Sequence, residues 1–288
     1  LRRMTSWTRQ KMRHALSLFR QGRNPAATVY DSIGSDFFLA IAPGWLNLGL
    51  WEGPGSEEEA PRAVRRLVER LAEELPRGGT VLDVGNGLGV QDPVIAKVAE
   101  PRRLVTMNIT ESQLRAGTEH VVAAGGCPVV GDAVRIPLAD GSVDGVISVE
   151  AAFHFASRRR FFAEAYRVLR PGGVLSMSDV PVLREARGIL EHIAGLFQLR
   201  VWGLNAQSVA TEEEIAAACR TAGFTEIRTE LVGERVIDPA LQLTRARLVR
   251  RDGASPSIRL AARAVLSQAE LLRNRGVVDY LLLRATKP

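Results

Sequence analysis

The sequence predicts an α/β protein built on a doubly wound, mostly parallel sheet of seven strands, with an N-terminal helical extension and a helical cap. Two observations carry this prediction. From residue 79 onward, short aliphatic runs alternate with amphipathic segments of helical period, which is the pattern of a parallel sheet. The first run, Val81–Val84, ends in a glycine-rich turn that leads into a helix, and open α/β sheets bind their ligands at such turns.

The composition is that of a soluble globular chain. Of 288 residues, 46% are hydrophobic and 24% are charged, which excludes the fibrous and disordered classes. The net charge of +6 comes with acidic residues spread through the chain, so we expect no nucleic-acid partner. Cys127 and Cys219 lie in no cysteine or histidine cluster, so the sequence predicts neither disulfides nor a metal site and favours the cytoplasm. The abundance of arginine and alanine over lysine is typical of a GC-rich bacterial genome.

Residues 1–56 are expected to form an N-terminal extension or lid. In the first 25 residues, basic and apolar side chains alternate at helical spacing, which predicts a basic amphipathic helix. Four interpretations stay open: packing on the body of the protein, packing on a second copy in a homodimer, partial disorder, and binding at a membrane surface. The charge-free stretch 37–51 is broken by Pro43 and Gly44 and is too short to span a bilayer. No secretory signal is expected.

The remaining elements follow in order along the chain. The core is predicted over 57–180, with strands at 81–84, 104–107, 128–130, 145–149 and 174–177 and helices at 90–100, 111–124 and 158–168. Residues 181–288 are expected to complete the sheet and to form the cap, with helical segments at 184–202 and 238–275 and strands at 226–231 and 277–283. Thr211-Glu-Glu-Glu predicts a capping box that starts another helix, which Gly223 ends.

The strongest local signal is the turn Gly85-Asn-Gly-Leu-Gly89, which follows a buried strand. Glycines let the chain turn sharply and let a ligand lie against bare amide groups, and the positive end of the next helix favours an anionic group. The spacing does not fit a dinucleotide fingerprint, since residue 90 is Val, and a P-loop would need a Gly-Lys-Ser/Thr ending. A tight turn without a ligand stays open as an alternative.

Several segments together resemble the class I S-adenosylmethionine (SAM)-dependent methyltransferases over about residues 44–180. Val81–Gly89 is similar to the first motif of that family, Gly131-Asp-Ala to its adenine-binding segment, and Leu169-Arg-Pro-Gly-Gly to its turn before strand five. Asn108 stands where the family usually has an acid that binds the ribose. The resemblance implies SAM as cofactor, S-adenosylhomocysteine (SAH) as product, and no metal. The cofactor-binding residues it implies are Asp83, Gly85, Asn86, Gly87, Asn108, Gln113, Asp132, Ala133, Glu150 and Tyr30.

Within the superfamily, the sequence resembles bacterial natural-product methyltransferases, the group that includes rebeccamycin sugar O-methyltransferase. Those enzymes carry a histidine pair after strand four, of which this chain keeps only His154, and an acid at the position of Asp179. Both residues follow neighbouring strands at the carboxyl edge of the sheet, so we expect them to meet there. A histidine oriented by an acid is a common general base, and it would take the proton of an acceptor alcohol. A hydrogen-bonded pocket histidine and a loop-fixing aspartate stay open as alternatives.

The sequence therefore predicts a methyltransferase that moves a methyl group to an oxygen of a small-molecule secondary metabolite by direct displacement, with carbon and nitrogen as secondary choices. The first alternative is an enzyme of the same fold that catalyses a cyclisation without methyl transfer. The second is a nucleic-acid methyltransferase, which the segment Glu150-Ala-Ala-Phe disfavours because the Asn-Pro-Pro-Tyr type of motif is missing there. The third is a binding protein without catalytic activity.

Overall fold

A computed structural model describes residues 40–202, 204, 209–250 and 256–288. The predicted N-terminal helix and Tyr30 lie outside the described residues. The described chain contains one seven-stranded sheet with the strand order β3-β2-β1-β4-β5-β7-β6. The strands are β1 Thr80–Val84, β2 Arg103–Asn108, β3 Gly126–Val130, β4 Val143–Ser148, β5 Leu169–Asp179, β6 Thr225–Leu231 and β7 Leu281–Thr286. Strands β1 to β5 pair in parallel and β7 runs antiparallel between β5 and β6, which confirms the predicted fold class.

The helices alternate with these strands. They are α1 Ala60–Ala72, α2 Asp92–Ala99, α3 Glu111–Ala116, α4 Thr118–Ala123, α5 Arg158–Val168, α6 Gly188–Val201, α7 Glu212–Thr221, α8 Gly233–Arg250 and α9 Pro256–Asn274, and a 3₁₀ turn spans Ala152–His154. Thr211 and Glu214 form the predicted capping box at the start of α7. The single helix predicted over 111–124 is instead divided at Gly117, whose φ of −91° and ψ of 4° leave the helical region. A Cβ at this position would lie 2.3 Å from the Leu88 carbonyl oxygen, so only glycine fits there.

The segment 238–275, which the sequence predicts to be helical, holds the two helices α8 and α9. One other prediction differs from the structure. The last strand was predicted at 277–283 but begins only at Leu281, because the preceding residues are engaged elsewhere. Val278 bridges to Val182, and the Tyr280 carbonyl accepts the amide hydrogen of Val232. These contacts tie the start of β7 to the segments that follow β5 and β6.

The sheet has a hydrophobic core on each face, as its alternating side chains require. On one face Leu82 of β1 packs in the same cluster as Phe161 and Phe162 of α5. On the other face its neighbour Val81 belongs to the cluster of Leu67 and Ile95, from α1 and α2. Strand β1 lies at the centre of the parallel strands, with β2 and β3 on one side of it and β4 and β5 on the other. A crevice therefore opens at the carboxyl ends of β1 and β4, where open α/β sheets bind ligands.

The helices α6, α8 and α9 lie outside the core pattern of strand and helix. Helix α6 packs on α9, where Gln198 Nε2 donates to the Val265 carbonyl over 2.8 Å. Arg247 of α8 binds the backbone carbonyls of Ala40 and Ile41 and pairs with Glu57, which fastens the start of the described chain to this layer. Among the helices that the structure describes, none has the length and apolarity to cross a bilayer.

Candidate active site

A cavity of about 390 Å³ opens at the carboxyl ends of β1, β2 and β4. Residues 44–47 close one side of it, and the first turn after β4 closes another. Nine residues that the sequence singles out line this cavity: Gly85, Asn86, Gly87, Asn108, Gln113, Asp132, Ala133, Glu150 and His154. Asp83 and Asp179 are not among its lining residues. The structure therefore brings the predicted site together at one place, with two exceptions among the described residues.

The glycine turn after β1 shapes the floor of the cavity. Gly85, Gly87 and Gly89 have φ angles of 85°, 57° and 71°, in the left-handed region that disfavours other residues. A Cβ at Gly87 would also lie 3.1 Å from Leu46 Cδ1, a side chain of the cavity wall. The turn is fixed by the Gly85 amide, which donates to the Met107 carbonyl of β2 over 2.7 Å. Backbone therefore replaces side chains at the place where a ligand approaches.

Two buried carboxyl groups, Asp83 and Asp92, support this turn from below. Gln91 Nε2 donates to Asp83 Oδ2 over 2.6 Å, and Asn86 Nδ2 donates to Asp92 Oδ2 over 3.3 Å. Burial raises the pKa of both carboxyls, and the charge of Asp83 raises the pKa of Asp92 further. Ionisation of one of these carboxyls therefore disfavours ionisation of the other. Asp83, which the resemblance placed among the cofactor-binding residues, lies behind the cavity wall.

The amides Asn108 and Gln113 form the next part of the wall. Asn108 Nδ2 donates to the Gly87 carbonyl over 3.2 Å and to Gln113 Oε1 over 3.0 Å. Asn108 Oδ1 accepts the Thr110 amide over 3.0 Å. Asn108 therefore joins the glycine turn to the end of β2 and orients Gln113. An aspartate at position 108 could not make these two bonds, since a carboxylate has no hydrogen to donate to the Gly87 carbonyl or to Gln113 Oε1. The polar face that this pair offers to the cavity includes the Gln113 Nε2 donor.

Asp132 and Ala133 lie across the cavity, after β3. Asp132 Oδ1 accepts the Val134 amide over 3.1 Å, which fixes the turn. Ala133 is buried, and the side chains of Met107 and Ile109 line the same side. This region combines apolar walls with a carboxylate and a backbone amide, a set that suits a flat, partly polar ring such as adenine.

His154 ends the 3₁₀ turn after β4 and lies on the cavity wall. Burial, and then the charge of Arg158, lower the pKa of His154 to about 3. The imidazole is therefore neutral at any working pH. It can form hydrogen bonds, but its tendency to take up a proton is weak.

The predicted partnership of Asp179 with His154 is wrong. Arg158 donates to both carboxylate oxygens of Asp179, from Nε over 2.7 Å and from Nη2 over 2.8 Å, and the Val180 amide also binds Asp179 Oδ1. The Asp179 side chain is fully buried, and that of Arg158 is 6% exposed. The acid at the end of β5 thus neutralises an arginine that lies four residues after the histidine. No sequence pattern singles out Arg158, which stands in a run of three arginines.

Glu150 is held in place by contacts that the sequence did not predict. Its Oε1 accepts the Leu48 amide over 2.7 Å and the Tyr280 hydroxyl over 2.9 Å. Its own amide donates to Ser178 Oγ over 2.9 Å. Leu48 and Tyr280 are 102 and 130 residues away in the chain, so only the fold brings them together.

Comparisons with known proteins agree with this geometry. Residues 82–177 match the methyltransferase-domain family. Erythromycin 3''-O-methyltransferase of Saccharopolyspora erythraea is 28% identical over 281 residues, covering 91% of this chain and 90% of the relative. Two solved structures share the fold: a sarcosine dimethylglycine methyltransferase from Galdieria sulphuraria (TM-score 0.75, 22% identity, 88% of this chain and 97% of that one) and the [4+2]-cyclase SpnF (TM-score 0.69, 21% identity, 97% and 96%).

The matched domain and the methyltransferase relatives support a SAM-dependent methyltransferase of class I, and the fold agrees with this. More particularly, it resembles the natural-product enzymes of that class. Its cofactor is SAM. The residues present fit this cofactor. The glycine turn leaves a space that a Cβ at Gly87 would begin to fill, and the buried Asn86 Oδ1 makes no hydrogen bond to any described residue. An acceptor of this kind suits the cationic ammonium end of the cofactor.

Proposed function

We propose that this protein transfers the methyl group of SAM to an oxygen atom of a small-molecule natural product. The observation that carries the proposal is the cavity, which joins the cofactor motifs of β1 to β3 to the histidine and glutamate after β4. Its volume of about 390 Å³ is in the range of small-molecule sites. The near full-length similarity to a macrolide O-methyltransferase supports oxygen as the acceptor atom.

Bound SAM supplies an electrophilic methyl group on a positively charged sulfur, which an oxygen lone pair can displace. The chain's own residues bind and orient the two reactants. We assign the adenine to Asp132 and Ala133, the ribose to Gln113 as positioned by Asn108, and the amino-acid end to the turn of Gly85 and Gly87. Holding the reactants in line supplies much of the rate, since effective molarities in well-oriented systems are large.

His154 lies on the wall next to this space and is the base that the sequence predicts. We retain it in the proposal as a neutral imidazole that binds the acceptor hydroxyl, because its low pKa makes it a poor final holder of the proton. The helices α6, α8 and α9 are proposed to shape the acceptor pocket, as the predicted cap. No metal enters this proposal.

The test uses purified protein, SAM with a labelled methyl group, and a 3''-O-demethyl erythromycin as acceptor beside other hydroxylated macrolides. Transfer of label, and a product heavier by one methyl group, are the expected results. Product of unchanged mass would instead favour the cyclisation alternative. If SAM and SAH bind in calorimetry but no acceptor is labelled, the cofactor assignment stands and the proposed acceptor class is refuted.

A further inference from the structure

Glu150 has an unusual backbone at a position where it faces the cavity. Its φ angle is 49°, in the left-handed region that residues with a side chain rarely adopt. Such conformations persist only where the surrounding contacts impose them, and they are concentrated at functional sites. At Glu150 this conformation is held by Ser178 Oγ, which accepts the Glu150 amide hydrogen. The Leu48 amide and the Tyr280 hydroxyl, which donate to the Glu150 carboxylate, hold the side chain. The strained backbone directs the side chain along the cavity wall.

The two oxygens of this carboxyl group have different surroundings. Oε1 is saturated by the Leu48 amide and the Tyr280 hydroxyl. Oε2 makes no hydrogen bond to a described residue, and Glu150 lines the cavity. No arginine or lysine of the described chain pairs with Glu150, although this chain pairs many of its other carboxylates. The group therefore presents one open oxygen and no compensating cation to the cavity.

Burial raises the pKa of Glu150 to about 7, against the hydrogen bonds from Leu48 and Tyr280, which lower it. Tyr280 is the titratable neighbour on the β7 side, and burial and the Glu150 charge raise its pKa, so it stays a donor. Among the other ionisable groups nearby, Asp179 is neutralised by Arg158, and His154 is uncharged. A general base works best when its pKa is close to the working pH, and Glu150 meets that condition while His154 does not.

We propose that Glu150 Oε2 is the atom that accepts the hydroxyl proton of the acceptor, an inference that rests on the proposed function. The acceptor O–H bond breaks and its proton passes to Oε2. The freed oxygen lone pair forms the bond to the methyl carbon, and the electron pair of the broken carbon–sulfur bond stays on sulfur. Glu150 afterwards releases the proton to water. Tyr280 and the Leu48 amide are positioning groups, because they hold Oε1 and leave Oε2 for the acceptor.

The first experiment needs no acceptor. Thermal unfolding of the wild type and of Glu150→Gln is measured from pH 5 to pH 8, with Glu119→Gln, an exposed glutamate of α4, as the matched control. A carboxyl group whose pKa is higher in the folded than in the unfolded protein destabilises the fold as the pH rises from the unfolded-state pKa to the folded-state pKa. A glutamine at the same position has no such effect. The Tm of Glu150→Gln minus that of the wild type should rise by about 5 °C from pH 5 to pH 8. The same difference for the control variant should not change. A flat difference for Glu150→Gln would overturn the inference, since Glu150 would then ionise like an ordinary surface acid.

The second experiment measures methyl transfer to a 3''-O-demethyl erythromycin by Glu150→Gln and His154→Gln. Glu150→Gln should lower kcat by roughly 100-fold or more while the SAM dissociation constant changes less than about threefold. His154→Gln should mainly raise the acceptor KM. Tyr280→Phe should shift the acid limb of the pH–rate profile, which a merely structural role would not do.

The outcomes separate the two proposals. A wild type that binds SAM but methylates no acceptor refutes the proposed function, while the pH-dependent unfolding still judges Glu150. An active Glu150→Gln with His154→Gln inactive would overturn the inference and restore His154 as the base.

Discussion

The buried pair Arg158–Asp179 gives the sharpest test of how this site is built. Its two charge-assisted hydrogen bonds, of 2.7 and 2.8 Å, lie between side chains that are 6% and 0% exposed. Removing one partner from such a pair leaves an uncompensated buried charge, which costs about 3–5 kcal/mol. A chain of this size loses roughly 2 °C of Tm per kcal/mol, so Asp179→Leu and Arg158→Met should each lower the Tm by about 6–10 °C.

The double variant Arg158→Met/Asp179→Leu distinguishes a structural pair from a catalytic acid. With both charges removed and the volume filled, most of the lost stability should return, because no unpaired charge remains. The assay is thermal unfolding without cofactor, followed by methyl transfer at a temperature where all variants are folded. If Asp179 only neutralises Arg158, the double variant should keep a kcat within about tenfold of the wild type. Single variants that unfold within 1 °C of the wild type would refute the buried-pair reasoning (about 1 °C being the resolution of such assays).

Three further predictions concern the cofactor half and the helical framework. Gly87→Val should raise the SAM dissociation constant at least about tenfold in calorimetry, because it imposes left-handed strain and crowds Leu46; tight binding would place the site elsewhere. Asn108→Asp should weaken SAM binding by roughly tenfold, because the Gly87 carbonyl and Gln113 Oε1 lose the hydrogen-bond donor Asn108 Nδ2. Since an acid is usual at this position in the family, stronger binding by the variant would show that direct ribose contact outweighs that loss. Thr211→Ala should lower the Tm by about 2 °C at unchanged SAM affinity, since it removes the capping box of α7; unchanged unfolding would mean that the cap contributes nothing.

The parts of the fold that the sequence predicted are those set by local pattern. The aliphatic run of β1 and the glycine turn after it are encoded within nine residues. The capping box at Thr211 and the eleven-residue helix α5 are also set by local pattern. The division of the helix at Gly117 has no signal in the local pattern beyond the glycine itself. The contact of this glycine with the Leu88 carbonyl, 29 residues earlier in the chain, is seen only in the fold. The late start of β7 has the same kind of cause, since its preceding residues pair with Val182 and Val232.

The candidate site shows the same division. Nine of the predicted site residues could be placed on one cavity because they follow consecutive strand ends, and topology brings such ends together. What each side chain does there depends on partners distant in sequence. The sequence placed His154 and Asp179 at adjacent strand ends, but it could not show that Arg158 takes both oxygens of the acid. It likewise could not show that Glu150 receives hydrogen bonds from both Leu48 and Tyr280.

The antiparallel strand β7 has a consequence for the order in which the molecule assembles. It fills the place between β5 and β6, and the residue just before it, Tyr280, holds the carboxyl group of Glu150. A chain emerging from the ribosome can complete its cofactor-binding strands β1 to β5 first, but β5 keeps an open edge until residues 281–286 arrive. Until then Glu150 lacks the hydrogen bond from the Tyr280 hydroxyl. The part of the site that holds Glu150 is therefore completed last, in the same event that covers the open edge of β5.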